Sequence, residues 1–479
     1  MNFRPILFVI GILLLAEGGL MILPGIMDFA MGDPAFLDFI VSAMMTLLCG
    51  GLLTLASRSD KKIEMSLRET FLMTSLSWLI LTLFASLPFL LTSVTNGVTD
   101  SIFETASALT TTGATVITGL DFAPAGILLW RSLLQWFGGI GIIVMAMTVL
   151  PILRIGGMQL FRSEFSDNSE KIMPRVSQIT KFIFLTYLSF TIVCIILFFA
   201  AGMTLFDAIC HGLTTISTGG MSTHDASIKY FNSLSIEIIT MLFMIIGSLS
   251  LIMIVRFLKG EPKSILRDSQ TRTFLCIAII APLLVALWQS YHFENYSIRE
   301  SVFNTVSMLT TTGFSSGDYE LWGAFPMMLY LTVMMIGGCT GSTAGGLKVF
   351  RIRIISTMAK VQLNKLYRPH VVIIPKYNRK VITPDIFTSV YNIITLFVFA
   401  FIGLSLLLCL TGLDFITATT GVITCMTSNG PGFGNIIGPT GNYALLPDAA
   451  KWILMFGMVL GRLELLTILV LITPGFWRN

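Results

Sequence analysis

Four short polar segments in an otherwise apolar chain carry residue types that could coordinate a cation. Two of them, residues 110–113 and 310–313, both read Thr-Thr-Thr-Gly. Two looser copies read Ile-Ser-Thr-Gly at 216–219 and Thr-Ser-Asn-Gly at 427–430. Glycine permits backbone dihedrals that other residues avoid, so such a segment can turn its carbonyl oxygens to one side. A ring of carbonyls can replace the hydration shell of a cation.

The two closest copies also match upstream of the glycine. Five residues recur 200 positions later, namely Ser101, Phe103, Thr105, Ser107 and Leu109 as Ser301, Phe303, Thr305, Ser307 and Leu309. One copy alone would be read as a turn before a helix. Four copies at matching places predict four equivalent segments arranged around one pore axis.

The predicted ion ligands are the hydroxyl and amide residues of the four segments, acting chiefly through backbone carbonyls, together with the glycines. No dense ring of carboxylates accompanies them, which favours a monovalent, weakly hydrated cation. The predicted filter residues are Thr111, Thr112, Gly113, Ser217, Thr218, Gly219, Thr311, Thr312, Gly313, Ser428, Asn429 and Gly430.

The composition indicates a polytopic membrane protein. Of 479 residues, 54% are hydrophobic and 12% are charged, whereas an ordinary soluble protein is about 25% charged. The seven cysteines show no C-x-x-C spacing and the four histidines no H-x-x-x-H pattern. We therefore expect neither a disulfide framework nor a metal centre of the Cys/His type, and no nucleic-acid partner.

The hydrophobic segments predict an all-α fold. Crossing the hydrocarbon takes about 20 apolar residues, and ten spans are long enough: 5–23, 37–57, 70–93, 125–150, 180–202, 234–257, 273–291, 324–347, 385–411 and 450–473. The first two form a separate pair joined by an acidic turn with Asp28 and Asp33. The other eight form four pairs, and each pair brackets a run too short to cross, at 99–110, 205–215, 299–309 and 414–426.

Short apolar runs of this kind are typical of re-entrant half-helices, which are tolerated where protein or water covers them. The predicted architecture is two N-terminal helices plus four helix–pore-loop–helix repeats around one central pore. The predicted units are the N-terminal helix pair at 1–68 and pore repeats at 69–162, 163–260, 261–368 and 369–479.

The basic residues predict the orientation. All of the 30 Lys and Arg residues except five fall in segments on one side, the exceptions being Arg131, Lys229, Arg299, Lys451 and Arg462. Positive residues concentrate on the cytoplasmic side of membrane proteins. The N-terminus is therefore predicted to be cytoplasmic and the four glycine segments to face outward. The N-terminal hydrophobic run lacks a small-residue cleavage site and is interpreted as a retained span.

A glycine-rich run interrupts the second span of the third repeat at 337–348. Five glycines there would each weaken a helix by about 1 kcal/mol relative to alanine, and broken helices at mid-membrane often line a permeation path. Close packing of a small-residue helix face is the alternative. As a gate, the run would act through Gly337, Gly338, Gly341, Ser342, Thr343, Gly345, Gly346 and Lys348.

A second candidate for gating is Arg462, which lies within the last span. Intramembrane charges are costly and often functional. Pairing with Glu464 or snorkelling to an interface is the alternative. Arg131 and Gln135 lie near one end of their span and are interpreted as structural.

The chain resembles the Trk/Ktr/HKT superfamily of potassium translocation proteins over its whole length, and within it the TrkH/TrkG-type subunits of bacterial Trk systems. The resemblance implies a potassium ion in the filter, an intramembrane loop at 337–348 that blocks the path below it, and an arginine barrier at Arg462. In plant members a first-repeat Ser accompanies sodium transport and a Gly potassium permeation, so Gly113 favours potassium. The fourth repeat departs from the Thr-x-Gly form at Ser428-Asn429-Gly430.

The expected function is a gated, channel-like potassium uptake path in the bacterial inner membrane. Sodium- or proton-coupled symport stays open as the alternative. The sequence has neither G-x-x-x-x-G-K-[ST] nor a G-x-G-x-x-G after a strand, so no organic cofactor is expected. The resemblance implies a cytosolic TrkA-type regulatory subunit that binds NAD and adenine nucleotides, and a homodimer with one pore per protomer. The basic segment 348–380 could also contact membrane lipid.

An enzymatic function is not expected. A membrane-embedded enzyme, such as a lipid-modifying one, would need buried His, Cys or carboxylate constellations near the membrane. The acidic residues here lie mostly at span ends or in outer segments, and the histidines are scattered.

Overall fold

The computed structural model describes residues 1–59, 65–148, 176–261, 263–294, 296–378 and 380–478. Over these ranges the regular secondary structure is helical apart from one short antiparallel pairing of Lys376–Tyr377 with Lys380–Val381. Seven of the described helices are long and apolar enough to cross a membrane, or up to nine if each of two bent helix pairs is one span. The all-α polytopic fold predicted from hydropathy is confirmed.

The N-terminal pair consists of Phe3–Met31 and Phe36–Ser57. The first helix is longer than predicted: it continues through Pro24, and Gly32 ends it with a φ of +75°. Asp28 therefore lies inside the helix and not in the joining turn, so that part of the prediction is wrong. Its buried Oδ1 accepts a hydrogen bond from the Gly126 amide at 2.5 Å, which fastens the pair to the first repeat.

Each of the next four units contains a first helix, a short central helix and a second helix. We name the short helices pore helices 1 to 4: Val98–Leu109, Leu205–Ile216, Ile298–Leu309 and Phe415–Thr427. The first helices are Leu67–Ala85 with Leu87–Leu91, Val176–Ala200, Ser269–His292 and Pro384–Leu410. The second helices are Ala125–Thr148, Leu234–Ser248 with Leu251–Leu258, Ala324–Ile336 followed by Val349–Tyr367, and Asp448–Arg462 with Leu465–Ile472.

The pore helices begin and end within two residues of their predicted limits. Three of them begin at a side chain that accepts from a backbone amide in the first turn: Thr204, Ser297 and Asp414. Such caps satisfy one of the unpaired donors at a helix start. Each pore helix is followed within two residues by a polar residue of positive φ, at Thr111, Thr218, Thr311 and Ser428. Polar residues lie at both ends of each short apolar run, which explains why the limits of the pore helices could be predicted from the sequence.

The second helices are broken in repeats 2, 3 and 4. Leu234–Ser248 and Leu251–Leu258 meet at 99°, and Asp448–Arg462 and Leu465–Ile472 meet at 116°. The uninterrupted spans predicted at 234–257 and 450–473 are therefore wrong. After the first break, the Leu251 amide donates to the Gly341 carbonyl of repeat 3 at 3.1 Å, so tertiary contact replaces the helical bond.

The unit boundaries stay predictions, and the one at 162/163 lies outside the described residues. Two further short helices, Lys263–Arg267 and Pro474–Trp477, flank the repeats. Single turns of 3-10 helix at Leu120–Phe122, Ser227–Phe231 and Tyr319–Trp322 lie between pore helix and second helix in repeats 1 to 3.

Candidate filter and gate

The backbone follows the same course where each pore helix ends. A non-glycine residue has a φ of 50–56° at Thr111, Thr218, Thr311 and Ser428, and a glycine two positions later has a φ of 74–85° at Gly113, Gly220, Gly313 and Gly430. Between these two, the amide of Thr112, Gly219, Thr312 or Asn429 donates to a carbonyl five residues back at 2.8–3.0 Å. We call each of these three-residue units a filter segment.

This course corrects the register of the second repeat. The sequence match paired Gly219 with Gly113, but Gly220 has the positive φ of +74°. Gly219 instead takes the place of Thr112, and Ser217 ends its pore helix as Thr110 ends the first. Two adjacent glycines made both alignments possible. Counting from the end of the pore helix would have identified Gly220, the residue of this segment that the sequence prediction missed.

The four filter segments form a closed ring. A Cβ at Gly113 would lie 2.3 Å from the Gly219 carbonyl oxygen, and one at Gly220 would lie 1.8 Å from that of Thr312. The series continues from Gly313 to Asn429 O at 2.0 Å and from Gly430 back to Thr112 O at 2.8 Å. Each glycine therefore faces the carbonyl of the next repeat, and the ring has no room for a side chain at any of the four glycines.

Side chains within the segments brace the backbone around this ring. The hydroxyls of Thr110 and Thr112 are 2.7 Å apart, and those of Thr310 and Thr312 are 2.8 Å apart. In repeat 4, the Tyr443 hydroxyl donates to the Gly430 carbonyl at 2.7 Å. The Thr112 and Thr312 hydroxyls are thus engaged within their own repeats, whereas Thr111 Oγ1 and Asn429 Oδ1 are buried without a hydrogen-bond partner.

A cavity opens on one side of the ring, and we call it the vestibule. All four repeats line it, including Gly113, Gly220, Gly313 and Pro431. Arg131 also lines it, and its Nε donates to the buried Glu104 carboxylate at 2.7 Å.

His224 lies at the rim of the vestibule and joins repeats 1 and 2. Its Nδ1 is 2.5 Å from Asp121 Oδ1, and its Nε2 is 3.4 Å from Asp207 Oδ1. Burial alone lowers the pKa of His224, but hydrogen bonds and charge from Asp207 and Asp121 outweigh it and raise the pKa above the ordinary value. The two carboxylates therefore stabilise the protonated imidazole, which joins repeats 1 and 2.

The glycine-rich run lies on the other side of the ring, and we call residues 337–348 the gate loop. It is non-helical between Ile336 and Val349, as predicted. The Gly345 amide donates to Thr311 Oγ1 at 2.6 Å, and the Gly346 amide donates to the Thr427 carbonyl at 3.1 Å. Thr343 Oγ1 lies 3.1 Å from the carbonyl of Ile216. The loop therefore touches the ends of three pore helices.

The predicted gate glycines make this close approach possible. Gly337, Gly341 and Gly346 have φ values of +67°, +77° and +77°. A Cβ at Gly345 would lie 1.9 Å from the Thr427 carbonyl oxygen, and one at Gly338 would lie 2.5 Å from the Cβ of Ala344. Ser342 Oγ donates to the Cys339 carbonyl at 2.6 Å, and Lys348 Nζ donates to the Ala344 carbonyl. The loop is thus tied both to itself and to the ring.

Arg462 is buried beside the gate loop. Its Nη1 donates to the Thr343 carbonyl at 2.9 Å. The Arg462–Glu464 pair weighed from the sequence does not form, because Glu464 accepts from Arg351 Nη2 at 2.5 Å. A second cavity on this side is lined by gate-loop residues with Arg351, Arg462 and Glu464. This cavity and the vestibule share no lining residue: glycines of the ring line the vestibule, and gate-loop residues line the second cavity.

Comparisons with known proteins agree with this arrangement. The family model TrkH, described as a cation transport protein, matches residues 37–477. The chain is 39% identical to the Trk system potassium uptake protein TrkI of Halomonas elongata, covering 100% of this chain and 98% of that protein. It is 33% identical to TrkG of Escherichia coli, covering 93% and 92%. The crystal structure of the potassium transporter TrkH from Vibrio parahaemolyticus aligns with a TM-score of 0.91 at 37% identity, covering 100% of both chains.

Proposed function

The chain belongs to the TrkH family of cation transport proteins, and from this premise we propose how it moves potassium and how it is closed. It is a multi-pass membrane protein and a Trk system potassium uptake subunit, not an enzyme. The proposal concerns the finer mechanism: a channel-like path whose filter is the ring of four segments and whose gate is the loop beneath it.

The closed ring of glycines facing carbonyl oxygens is the observation that supports the filter. A potassium ion entering from the vestibule would exchange its water for the carbonyls of Thr112, Gly219, Thr312 and Asn429 and for those next to them. Carbonyl rings coordinate potassium in this way in other channels. The four pore helices also end at the ring, and the C-terminal end of a helix carries partial negative charge, which favours a cation there.

The gate loop and Arg462 supply the barrier. The loop touches three pore-helix ends, so an ion leaving the ring away from the vestibule would meet it. Arg462 adds a positive charge beside Thr343, and an uncompensated charge in a low-dielectric setting opposes a passing cation. Replacing Arg462 with Ala is therefore proposed to increase leak.

Control by a separate cytosolic subunit is part of the proposal. The helix Val349–Tyr367 follows the gate loop directly and carries the exposed Lys360 and Lys365. A partner that displaces this helix would pull on the loop. We propose that the partner is a TrkA-type subunit binding NAD and adenine nucleotides, that the chain forms a homodimer in the bacterial inner membrane, and that its N-terminus is cytoplasmic.

Ion flux into liposomes holding the purified chain tests the proposal. We expect potassium and rubidium uptake to exceed sodium and lithium uptake by about tenfold or more, a discrimination of roughly 1.4 kcal/mol. Equal flux of all four ions would contradict the filter. Uptake that requires an imposed sodium or proton gradient would favour symport over a channel-like path. If wild-type protein is silent, a variant lacking residues 342–344 of the gate loop provides the open path for the same comparison.

A further inference from the structure

Gln135, a fully buried residue of the second helix of repeat 1, brackets the filter segment of repeat 2. Its Nε2 donates to the Gly219 carbonyl at 2.7 Å. Its Oε1 accepts from the Met221 amide at 3.2 Å. The two bonds span Gly220, so one side-chain amide fixes the backbone on both sides of the filter glycine.

The second repeat lacks the internal brace that repeats 1 and 3 have. In repeats 1 and 3, the middle residue of the filter segment is a threonine whose hydroxyl pairs with another threonine two positions earlier. In repeat 2 that middle residue is Gly219, which has no side chain to make this bond. The residue two positions earlier, Ser217, bonds instead to the Thr214 carbonyl at 3.1 Å.

The space that a threonine would use is taken by the glutamine. A Cβ at Gly219 would lie 2.3 Å from the Cδ of Gln135 and 2.4 Å from its Oε1, and these are the nearest atoms it would meet. The φ of Gly219 is not positive, so backbone strain would not exclude a side chain there. Gln135 and the missing side chain of Gly219 are therefore complementary.

We propose that Gln135 is a positioning residue that sets the potassium-over-sodium preference by holding the repeat-2 filter segment in place of a threonine hydroxyl. The inference rests on the proposed function of the ring as a filter. Without the bracket, the Gly219 carbonyl can move toward a smaller ion, and the ring loses its fixed size on one side. The segment remains attached to its pore helix, so transport itself continues.

Three variants test this by flux in liposomes: Gln135→Ala, Gly219→Thr, and the double variant. Gln135→Ala should lower the potassium-to-sodium flux ratio about tenfold while potassium flux falls less, since both hydrogen bonds that hold the segment are lost. Gly219→Thr alone should lower the potassium-to-sodium flux ratio further, because its side chain collides with Gln135. The double variant should regain most of the ratio, since a threonine then has both space and a Ser217 partner.

Gln289→Ala is the matched control. Gln289 is also a buried glutamine, and it accepts from Ser301 Oγ at the other end of a pore helix. It should lower the thermal unfolding midpoint as Gln135→Ala does but leave the ion ratio unchanged. An unchanged ratio in Gln135→Ala, or a double variant no better than Gly219→Thr, would overturn the inference. A wild-type protein that passes potassium and sodium equally would instead overturn the proposed filter.

Discussion

At the scale of single residues, the filter glycines meet two demands at once. Each has a φ near +80°, which L side chains rarely adopt, and each faces a carbonyl oxygen of the next repeat. The first demand costs a non-glycine residue about 1–2 kcal/mol. The second cannot be relieved by a rotamer change, because the obstructing atom belongs to the backbone. The steric demand therefore distinguishes these positions from ordinary glycine turns.

Gly313→Ala separates the two demands. Its Cβ would lie 2.0 Å from the Asn429 carbonyl oxygen, so the ring must open between repeats 3 and 4. We expect the potassium-to-sodium flux ratio to fall by about tenfold or more, equivalent to at least about 1.4 kcal/mol. Gly119→Ala is the control, since its φ is +72° but no atom lies within 4 Å of the added Cβ. Equal effects of the two variants would mean that backbone strain, not crowding, explains the glycines.

The register of repeat 2 shows what the sequence leaves open at this scale. A Thr-Gly pattern identifies residues 218–219, but the chain reads Thr-Gly-Gly there. Which glycine turns through positive φ depends on where the pore helix ends and on which atoms surround each glycine. The Gln135 amide occupies the space next to Gly219 from another repeat, and a one-dimensional match contains no trace of that contact.

At the scale of elements, the pore helices and the gate loop could be predicted, and the other helix breaks could not. Five glycines within residues 337–348 weaken a helix by composition alone. The break at Leu249 lies in a run that stays apolar on both sides, so hydropathy does not fall there. It forms where the gate loop packs, as the bond from Leu251 N to Gly341 O shows. The break at Glu464 lies beside the charged Arg462, but two charges in an apolar run do not by themselves distinguish a broken helix from a continuous one. A break imposed by a neighbour leaves no local signature.

The attachment of the gate loop provides a test of the proposed gate. Thr343 Oγ1 lies 2.9 Å from the Gly247 carbonyl and 3.1 Å from that of Ile216. Thr343→Val keeps the shape and removes the hydroxyl, which destabilises the seated loop by about 1 kcal/mol. We expect roughly fivefold higher potassium flux from the chain alone. Thr332→Val is the control, because that hydroxyl bonds only to Met328 within its own helix. No gain over the control would contradict a gate held by Thr343.

At the scale of the whole molecule, a charged side chain joins the repeats at every junction around the ring. Arg131 Nη1 donates to the Ser222 carbonyl between repeats 1 and 2 at 3.1 Å, and Arg299 pairs with Glu237 between repeats 2 and 3 at 2.6 Å. Glu320 accepts from the Gly434 amide between repeats 3 and 4. Lys451 pairs with Asp100 between repeats 4 and 1 at 2.6 Å. Each junction is thus fixed by a hydrogen bond or an ion pair.

These junctions account for most of the basic residues that lie outside the predicted cytoplasmic segments. Five basic residues break the asymmetry that predicted the orientation, and three of them, Arg131, Arg299 and Lys451, form ion pairs. A fourth, Arg462, contacts the gate loop. The sequence could single out these residues but not their partners, because Lys451 and Asp100 are 351 positions apart. Only the closed arrangement of four repeats brings the two ends of the ring together.

The Asp100–Lys451 pair therefore provides a test of ring closure. Both side chains are 4% exposed, so Lys451→Met leaves a buried unpaired carboxylate and should cost about 3–5 kcal/mol. Thermal unfolding should show a large drop, and the potassium-to-sodium flux ratio should fall because Gly430 and Thr112 meet at the same junction. Asp100→Leu combined with Lys451→Met should recover most of both, since apolar replacement of a whole buried pair is often neutral. Arg299→Met is the comparison: its partner Glu237 is also buried at 4% exposed, but Arg299 itself is 34% exposed, so solvent screens this pair and Arg299→Met should cost less than Lys451→Met. If Lys451→Met were as mild as Arg299→Met, closure between the first and last repeats would rest on packing alone.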